Sequence, residues 1–229
     1  MTYIPAMADV VNRLPQEDTE STEPGRRERR RAETQQRIMG AAMGMFSTRG
    51  YAETTVEDIT EAADVGKGTF FNYFPTKDAL LLAIFDSVRQ RFVELEANVA
   101  KVTDVRAEMR DFAHRLLSSM VRSPKMIRNV FGLALTDPVM GERFETVFRQ
   151  ARQAIVALLD HGQKIGQVRT DISAAILGRT FQQFIFGTEI LWSFTTGENL
   201  IEWVDVVMEI FWNGAVGSAK KGTKGPGRE

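Results

Sequence analysis

Cysteine is absent from the 229-residue chain. That excludes disulfides, cysteine-based zinc sites and a cysteine nucleophile, and it suits a reducing cytosol. Histidine is scarce: His114 and His161 are the two present, and they lack the H-E-x-x-H spacing of a zinc protease. No G-x-S-x-G elbow or phosphate-binding loop occurs, and "GKG" at 66–68 lacks the remaining spacing of a nucleotide site. An enzyme is therefore not expected, and neither a cofactor nor a metal is implied. No apolar run approaches the ~20 residues that span a bilayer. The N-terminus "MTYIPAMADVVNRLPQ" has no basic region followed by an apolar stretch, so a secretory signal is not expected. The expectation is a cytoplasmic protein with no membrane partner. Alternating strand patterns and internal repeats are also missing.

What is present is helical and unevenly charged. Hydrophobic residues make up 43% of the chain, enough for a sizeable core. The formal net charge of −1 hides a dense basic run, "RRERRR" at 26–31. Two readings of that run stand: a solvated start to a helix, or a contact with a local anionic partner. Residues 1–25, with Pro5, Pro15, Pro24 and Gly25 among polar neighbours, read as a disordered arm that continues into the basic run up to residue 31. The tail "GSAKKGTKGPGRE", 218–229 in the domain division, reads as mobile and basic.

From about Ala32, Ile38, Ala41, Ala42, Met45 and Phe46 recur at helical intervals, and Gly50 follows as a stop. Thr54 or Thr55 can cap a second, short helix with Glu57 or Asp58 in capping-box register. Its inner face would be Val56, Ile59, Ala62 and Ala63. A third helix follows from about Lys67 to Phe74, where Pro75 blocks continuation. Thr76 caps a long fourth helix. Further helices are predicted at about 104–121, 125–135, 139–163, 173–195 and 199–215, punctuated by "SP", "DP", "GQKIGQVRTD" and "TTGEN".

The second and third helices form a helix-turn-helix unit. Phe70 and Phe74 share a face and can pack on Val56, Ile59 and the first helix. Thr69, Phe71, Asn72 and Tyr73 then lie on the remaining surface, with Lys67 at the start. Exposed aromatics beside a cation fit a recognition helix, whose first turns reach base edges while Tyr and Lys hold phosphates. The first turn of the fourth helix can add backbone N–H groups and Lys77. The competing reading is a three-helix packing module with a partly covered aromatic edge.

Residues 33–81 resemble the DNA-binding domain of the TetR family of bacterial transcriptional repressors. The resemblance rests on the "F…RGY" end of helix one, "TTVEDI" opening helix two, and "GKGTFFNYFPTKDAL" running from helix three into helix four. It implies that Lys67, Gly68, Thr69, Phe71, Asn72, Tyr73 and Lys77 face DNA, that Thr55 touches phosphate, and that Arg29 and Arg30 of the basic run reach the duplex. Departures from the family pattern are Asp64 in place of a turn glycine, Thr60 in place of alanine, and Phe71 in place of a frequent tyrosine. Asp tolerates a left-handed backbone, so the turn can form.

The implied fold is all-α: an N-terminal three-helix DNA-binding domain at 32–77 and a larger helical ligand-binding and dimerisation domain at 78–217. "LIEWVDVVMEIFW" at 200–212 places Glu202, Asp205 and Glu209 on one narrow stripe, and "FQQFIFGTEILWSF" at 181–194 has a similarly thin polar side carrying Gln182, Gln183, Glu189 and Ser193. Helices this apolar pack on two sides. Either one monomeric core buries both, or a two-fold homodimer covers their outer faces. The resemblance favours the dimer, with Phe181, Phe184, Trp192, Trp203, Val207 and Phe211 as interface candidates. It also implies a pocket for a small, apolar or aromatic effector, with Met109, Phe112, Phe131 and Phe148 as lining candidates. His114, Arg110, Arg115 and Arg128 would supply polar contacts there, or form surface salt bridges. The implied function is a ligand-released repressor that binds palindromic double-stranded DNA as a homodimer; a regulator or architectural protein without ligand response is the alternative.

Overall fold

The computed structural model describes residues 25–120, 123–195 and 197–215; the predicted arm before residue 25 and the tail at 218–229 lie outside them. Among the described residues the regular elements are helical: α1 (Arg26–Thr48), α2 (Val56–Ala62), α3 (Lys67–Tyr73), α4 (Lys77–Asn98), a 3₁₀ turn (Val99–Lys101), α5 (Val105–Met120), α6 (Pro124–Thr136), α7 (Pro138–Lys164), α8 (Ala174–Trp192) and α9 (Leu200–Ala215). None is long and apolar enough to cross a membrane. The chain divides into two compact units, 1–34 and 35–229.

In the first unit, helix begins at Arg26 and not near Ala32, so the basic run is helical and not part of an extended arm. Arginine is a good helix former. The Gly25 N–H donates to the Glu28 carboxylate at 3.0 Å, and the Glu28 N–H donates to the Gly25 carbonyl at 2.8 Å, which closes the first turn.

In the second unit, the predicted punctuation acts as caps. Thr76, Ser123, Asp137 and Ser173 each accept a hydrogen bond from the first turn of α4, α6, α7 and α8, and Pro124 and Pro138 sit at the start of their helices, where a missing N–H costs nothing. Two apolar cores result. One joins α1, α2, α3 and the start of α4 around Ile38, Phe46, Ile59, Phe70, Phe74 and Leu80, with Met126 of α6 and Met140 of α7. The other runs from Val88 of α4 through α5, α7, α8 and α9. Phe70 and Phe74 are buried as predicted, while Ala62 of the predicted inner face is exposed.

The α2–α3 turn passes through Asp64 at φ 50°, the left-handed region. Asp adopts it at a cost that glycine does not bear. Asp64→Gly is expected to hold or raise stability by up to ~1 kcal/mol, and Asp64→Val to lower it by about 1–2 kcal/mol. Urea unfolding of the two variants measures this; equal stabilities would contradict a strained turn.

Candidate functional site

Two surfaces carry the chemistry, one on the helix-turn-helix and one inside the helical body. On α2, Thr55 forms the capping box with Asp58: its hydroxyl accepts from the Asp58 N–H at 3.1 Å, and the Asp58 carboxylate accepts from the Thr55 N–H at 2.9 Å. That N–H, followed by the Thr55 hydroxyl, holds the exposed Asp58 carboxyl below the usual carboxylate range. Arg49, at the end of helix one, adds an ion pair to Asp58. Thr54 is buried and donates its hydroxyl hydrogen to the Gly50 carbonyl at 2.6 Å.

On α3, Lys67, Gly68, Phe71 and Asn72 are exposed and Thr69 and Tyr73 are half-buried. Phe71 keeps half its surface in solvent while its ring meets Phe70 edge to face at 5.4 Å between centroids. Lys67 pairs with Glu57 of α2. Both partners are more than half exposed, so the pair is weak and exchangeable for another anion.

Lys77 behaves otherwise. Its ammonium donates to the carbonyls of Tyr51 at 2.8 Å and Thr54 at 2.9 Å and lies 4.3 Å from the Tyr51 ring centroid. Two of its three donors tie α4 to the loop after α1, leaving one for a phosphate. Tyr51 donates its hydroxyl hydrogen to Asp78 on the same α4 turn, and burial, then that bond, raises the phenol pKa. Sequence reasoning missed this clamp because its acceptors are backbone atoms. Arg29 and Arg30 are exposed on the helix of the first unit.

The second surface is a cavity of about 220 Å³ enclosed by α4, α5, α6, α7 and α8. Met109, Phe112, Phe131 and Phe148, the four predicted lining residues, all line it. Phe131, Phe144, Phe148 and Phe186 close a cycle of aromatic contacts, with successive centroid distances of 5.1, 4.5, 5.0 and 4.8 Å. His114 and the arginines are elsewhere. His114 and Arg110 meet Asp205 at 2.8 and 3.1 Å, Arg115 meets Glu108 at 3.0 Å, and Arg128 donates to the Ser193 carbonyl.

Among the lining residues Gln182 and Glu189 are the polar side chains, both on α8. The Gln182 carbonyl accepts from Arg152 Nε at 2.9 Å and its amide donates to the Phe148 carbonyl at 2.7 Å. Among the described residues Glu189 has no such partner. It lines the cavity, and burial pushes its pKa up to about 7. Sequence reading put Glu189 on the polar side of the helix; the structure turns that side into the cavity.

The predicted interface residues divide. Phe181, Trp192 and Phe211 are buried by their own chain, Phe181 and Phe211 meeting at 5.0 Å, so they belong to the core and not to an outer face. Phe184 and Trp203 are exposed and Val207 is half-buried. Ile176, Leu191, Phe194, Val206 and Ile210 are exposed beside them on or next to α8 and α9. On α9 Asp205 and Glu209 pair with Arg110, His114 and Arg106 of α5; Val204, Met208, Phe211 and Trp212 are buried, and Trp203, Val206 and Ile210 are exposed.

Residues 38–84 match the family described as bacterial regulatory proteins, tetR family. That match places a TetR-type DNA-binding helix-turn-helix over those residues. A transcriptional repressor, DhaR of Mycobacterium sp. (strain GP1), is 29% identical over 152 residues, 64% of this chain and 76% of that one. The transcriptional regulator CymR of Pseudomonas putida is 38% identical over 88 residues, 37% of this chain and 43% of that protein. The crystal structure of Thermus thermophilus FadR, a TetR-family repressor in complex with lauroyl-CoA, superposes with a TM-score of 0.52 at 29% identity, covering 83% of this chain and 100% of that one. Like its TetR-family relatives, the protein is a transcriptional regulator with a helix-turn-helix and not an enzyme.

Glu189 generates a pH signature. Its folded-state pKa, about 7, lies above the ordinary value of 4.5, so the folded protein holds the proton more tightly than the unfolded chain. Stability from this group is therefore full below about 4.5 and falls as pH rises towards 7. Glu189→Gln has no proton to lose. Relative to the parent it should gain on the order of 2 kcal/mol between pH 4.5 and 8, read by urea unfolding at both values. An unchanged difference would contradict the carboxyl's burial.

Proposed function

We propose that the protein is a ligand-released repressor that binds a palindromic operator as a homodimer. The observation that carries the reading is α4. Its first turns, through Leu80, Leu81 and Ile84, belong to the core under the recognition helix, and Phe85, Val88, Phe92 and Leu95 of the same helix line the cavity. A ligand that displaces the cavity wall therefore acts on a rod whose other end is clamped to the DNA-reading module by Lys77. A second tie runs through α6. The Ser123 hydroxyl donates to the Ser47 carbonyl at 2.7 Å, and Lys125 donates to the Thr48 carbonyl at 3.4 Å, while Met126, Ile127, Val130 and Phe131 of α6 line the cavity.

A smaller void of about 70 Å³ shares Phe85, Met126 and Val130 with the main cavity and reaches Met43 and Phe46 near the end of α1 and Asn129 of α6. It leaves these shared side chains room to move when the larger cavity fills. Coupling of this kind is reciprocal: ligand weakens operator binding by the factor by which operator weakens ligand binding.

The printed role of DhaR as a repressor supports the sign of regulation, and the acyl ligand of FadR supports an apolar effector. The outward apolar stripe of α8 and α9 supports the dimer, since a contiguous apolar face on a regulator is an interface candidate. On DNA, Phe71, Asn72 and Tyr73 would read base edges and Lys67 would exchange Glu57 for a phosphate. Thr55, Gly68, Thr69 and Lys77 would contribute backbone contacts. The arginines Arg29 and Arg30 would add salt-dependent affinity.

Operator selection from random duplexes, followed by titration over a salt series, tests the reading. Tight binding to a palindrome with a steep salt slope is expected. Sequence-independent weak binding would mean an architectural protein. Phe71→Ala should lower specific affinity by about tenfold or more while leaving the salt slope unchanged. Ile210→Glu, at a side chain 62% exposed in one chain, should halve the mass in sedimentation and abolish operator binding without unfolding the protein. An Ile210→Glu protein that stays dimeric would remove α9 from the interface.

A further inference from the structure

The cavity is almost wholly apolar, and a purely hydrocarbon occupant would set the half-buried Glu189 carboxyl against apolar atoms with no partner for it. Buried polar groups are costly unless partnered. Gln182 does not serve, because both its amide atoms are already engaged by Arg152 and Phe148. Among the described residues no donor is in hydrogen-bond reach of the Glu189 carboxylate. A ligand carrying a hydrogen-bond donor would supply that partner.

Two further features define that partner's chemistry. Gln182, Phe186 and Glu189 are spaced four and three residues apart, so they share one face of α8. That face joins the carboxyl to the closed cycle of Phe131, Phe144, Phe148 and Phe186. Aromatic faces and a carboxylate both attract a cation and both repel an anion. Among the described residues no lysine, arginine or histidine lines this cavity to receive an acid. The neighbouring cleft shares Leu95, Phe112 and Leu116 with the cavity; Arg91, Lys101 and Arg115 line it, but so do Glu94, Asp104, Glu108 and Asp111. It offers no net positive site for a phosphorylated headgroup.

We infer that the effector is a lipophilic molecule bearing one basic nitrogen, with its apolar body among the phenylalanines and its protonated nitrogen donating to the Glu189 carboxylate. The inference rests on the reading that this cavity takes an effector, and it narrows the effector to a cationic amphiphile. A charge-assisted hydrogen bond in a dry site discriminates strongly between an amine and its neutral analogue, whereas the apolar contacts treat the two alike.

The test uses three ligands of matched size: 1-naphthylmethylamine, 1-naphthalenemethanol and 1-naphthoate. Each is titrated calorimetrically into the full-length parent and into Glu189→Gln at about pH 8, where carboxyl and amine are both charged. The parent should bind the amine about tenfold or more tightly than the alcohol and should bind the naphthoate weakest. In Glu189→Gln the preference for the amine should disappear and the alcohol should bind as before. Thermal unfolding of the variant checks its fold, and the ranking of ligands by the parent stands without the variant. The inference is overturned if the alcohol or naphthoate binds the parent as tightly as the amine. It is likewise overturned if Glu189→Gln keeps the preference, or if the amine does not bind at millimolar concentration. Release from the selected operator is read in parallel. Amine binding through Glu189 without DNA release would sink ligand-released repression and leave this inference intact. Release by the alcohol with no amine preference would do the reverse.

Discussion

One helix with two burial duties constrains everything else. At its start α4 presents Leu80, Leu81 and Ile84 to the helix-turn-helix core, and from Phe85 onward it presents Val88, Phe92 and Leu95 to the cavity. A helix of 22 residues is a rod of roughly 33 Å, too stiff to absorb a displacement at one end without passing it on. Its N-terminus is also held by polar bonds from Lys77 and Asp78 to the loop at Tyr51 and Thr54. On the proposed reading, a shift of the cavity wall would be passed to the recognition helix along this rod. The Ser47–Ser123 contact makes α6 a parallel lever.

Electrostatic pairing is distributed in the same spirit. The charged pairs of the DNA-reading module, Lys67–Glu57 and Arg49–Asp58, involve solvent-exposed side chains and so add little to stability. Their value lies in being replaceable: a phosphate can take the place of Glu57 without leaving a buried charge behind. On α9 the carboxylates face α5, which frees the opposite side to be apolar.

Much of this was legible in the chain. Pro124, Pro138, Thr76 and Asp137 announce their helix boundaries because capping and proline geometry are local. Asp64 could be read as a left-handed turn residue because the chemistry of that position is local too. Met109, Phe112, Phe131 and Phe148 line the cavity as expected. What failed was the assignment of faces. Periodicity says which side chains share a face of a helix; it does not say what covers that face. Phe181, Trp192 and Phe211 were therefore placed outward although their own chain buries them. Glu189 was placed on a thin polar side of its helix, and the structure sets it at the cavity wall. Lys77 looked free because its partners are main-chain carbonyls. The start of α1 at Arg26 was one of two readings of the basic run, and apolar periodicity, which begins only near Ala32, could not choose between them.

The cavity has a consequence for the lifetime of the protein. Empty apolar space inside a packed body forfeits dispersion contacts, and a volume of about 220 Å³ represents several kcal/mol of stability left unrealised. Net stabilities of such domains are of similar size. On the proposed reading, a ligand that fills this space would recover part of that stability and with it protection from local opening and proteolysis. Occupancy would then alter not only where the regulator sits but how long each copy persists, so that the cellular level of the protein would become a slow record of its effector.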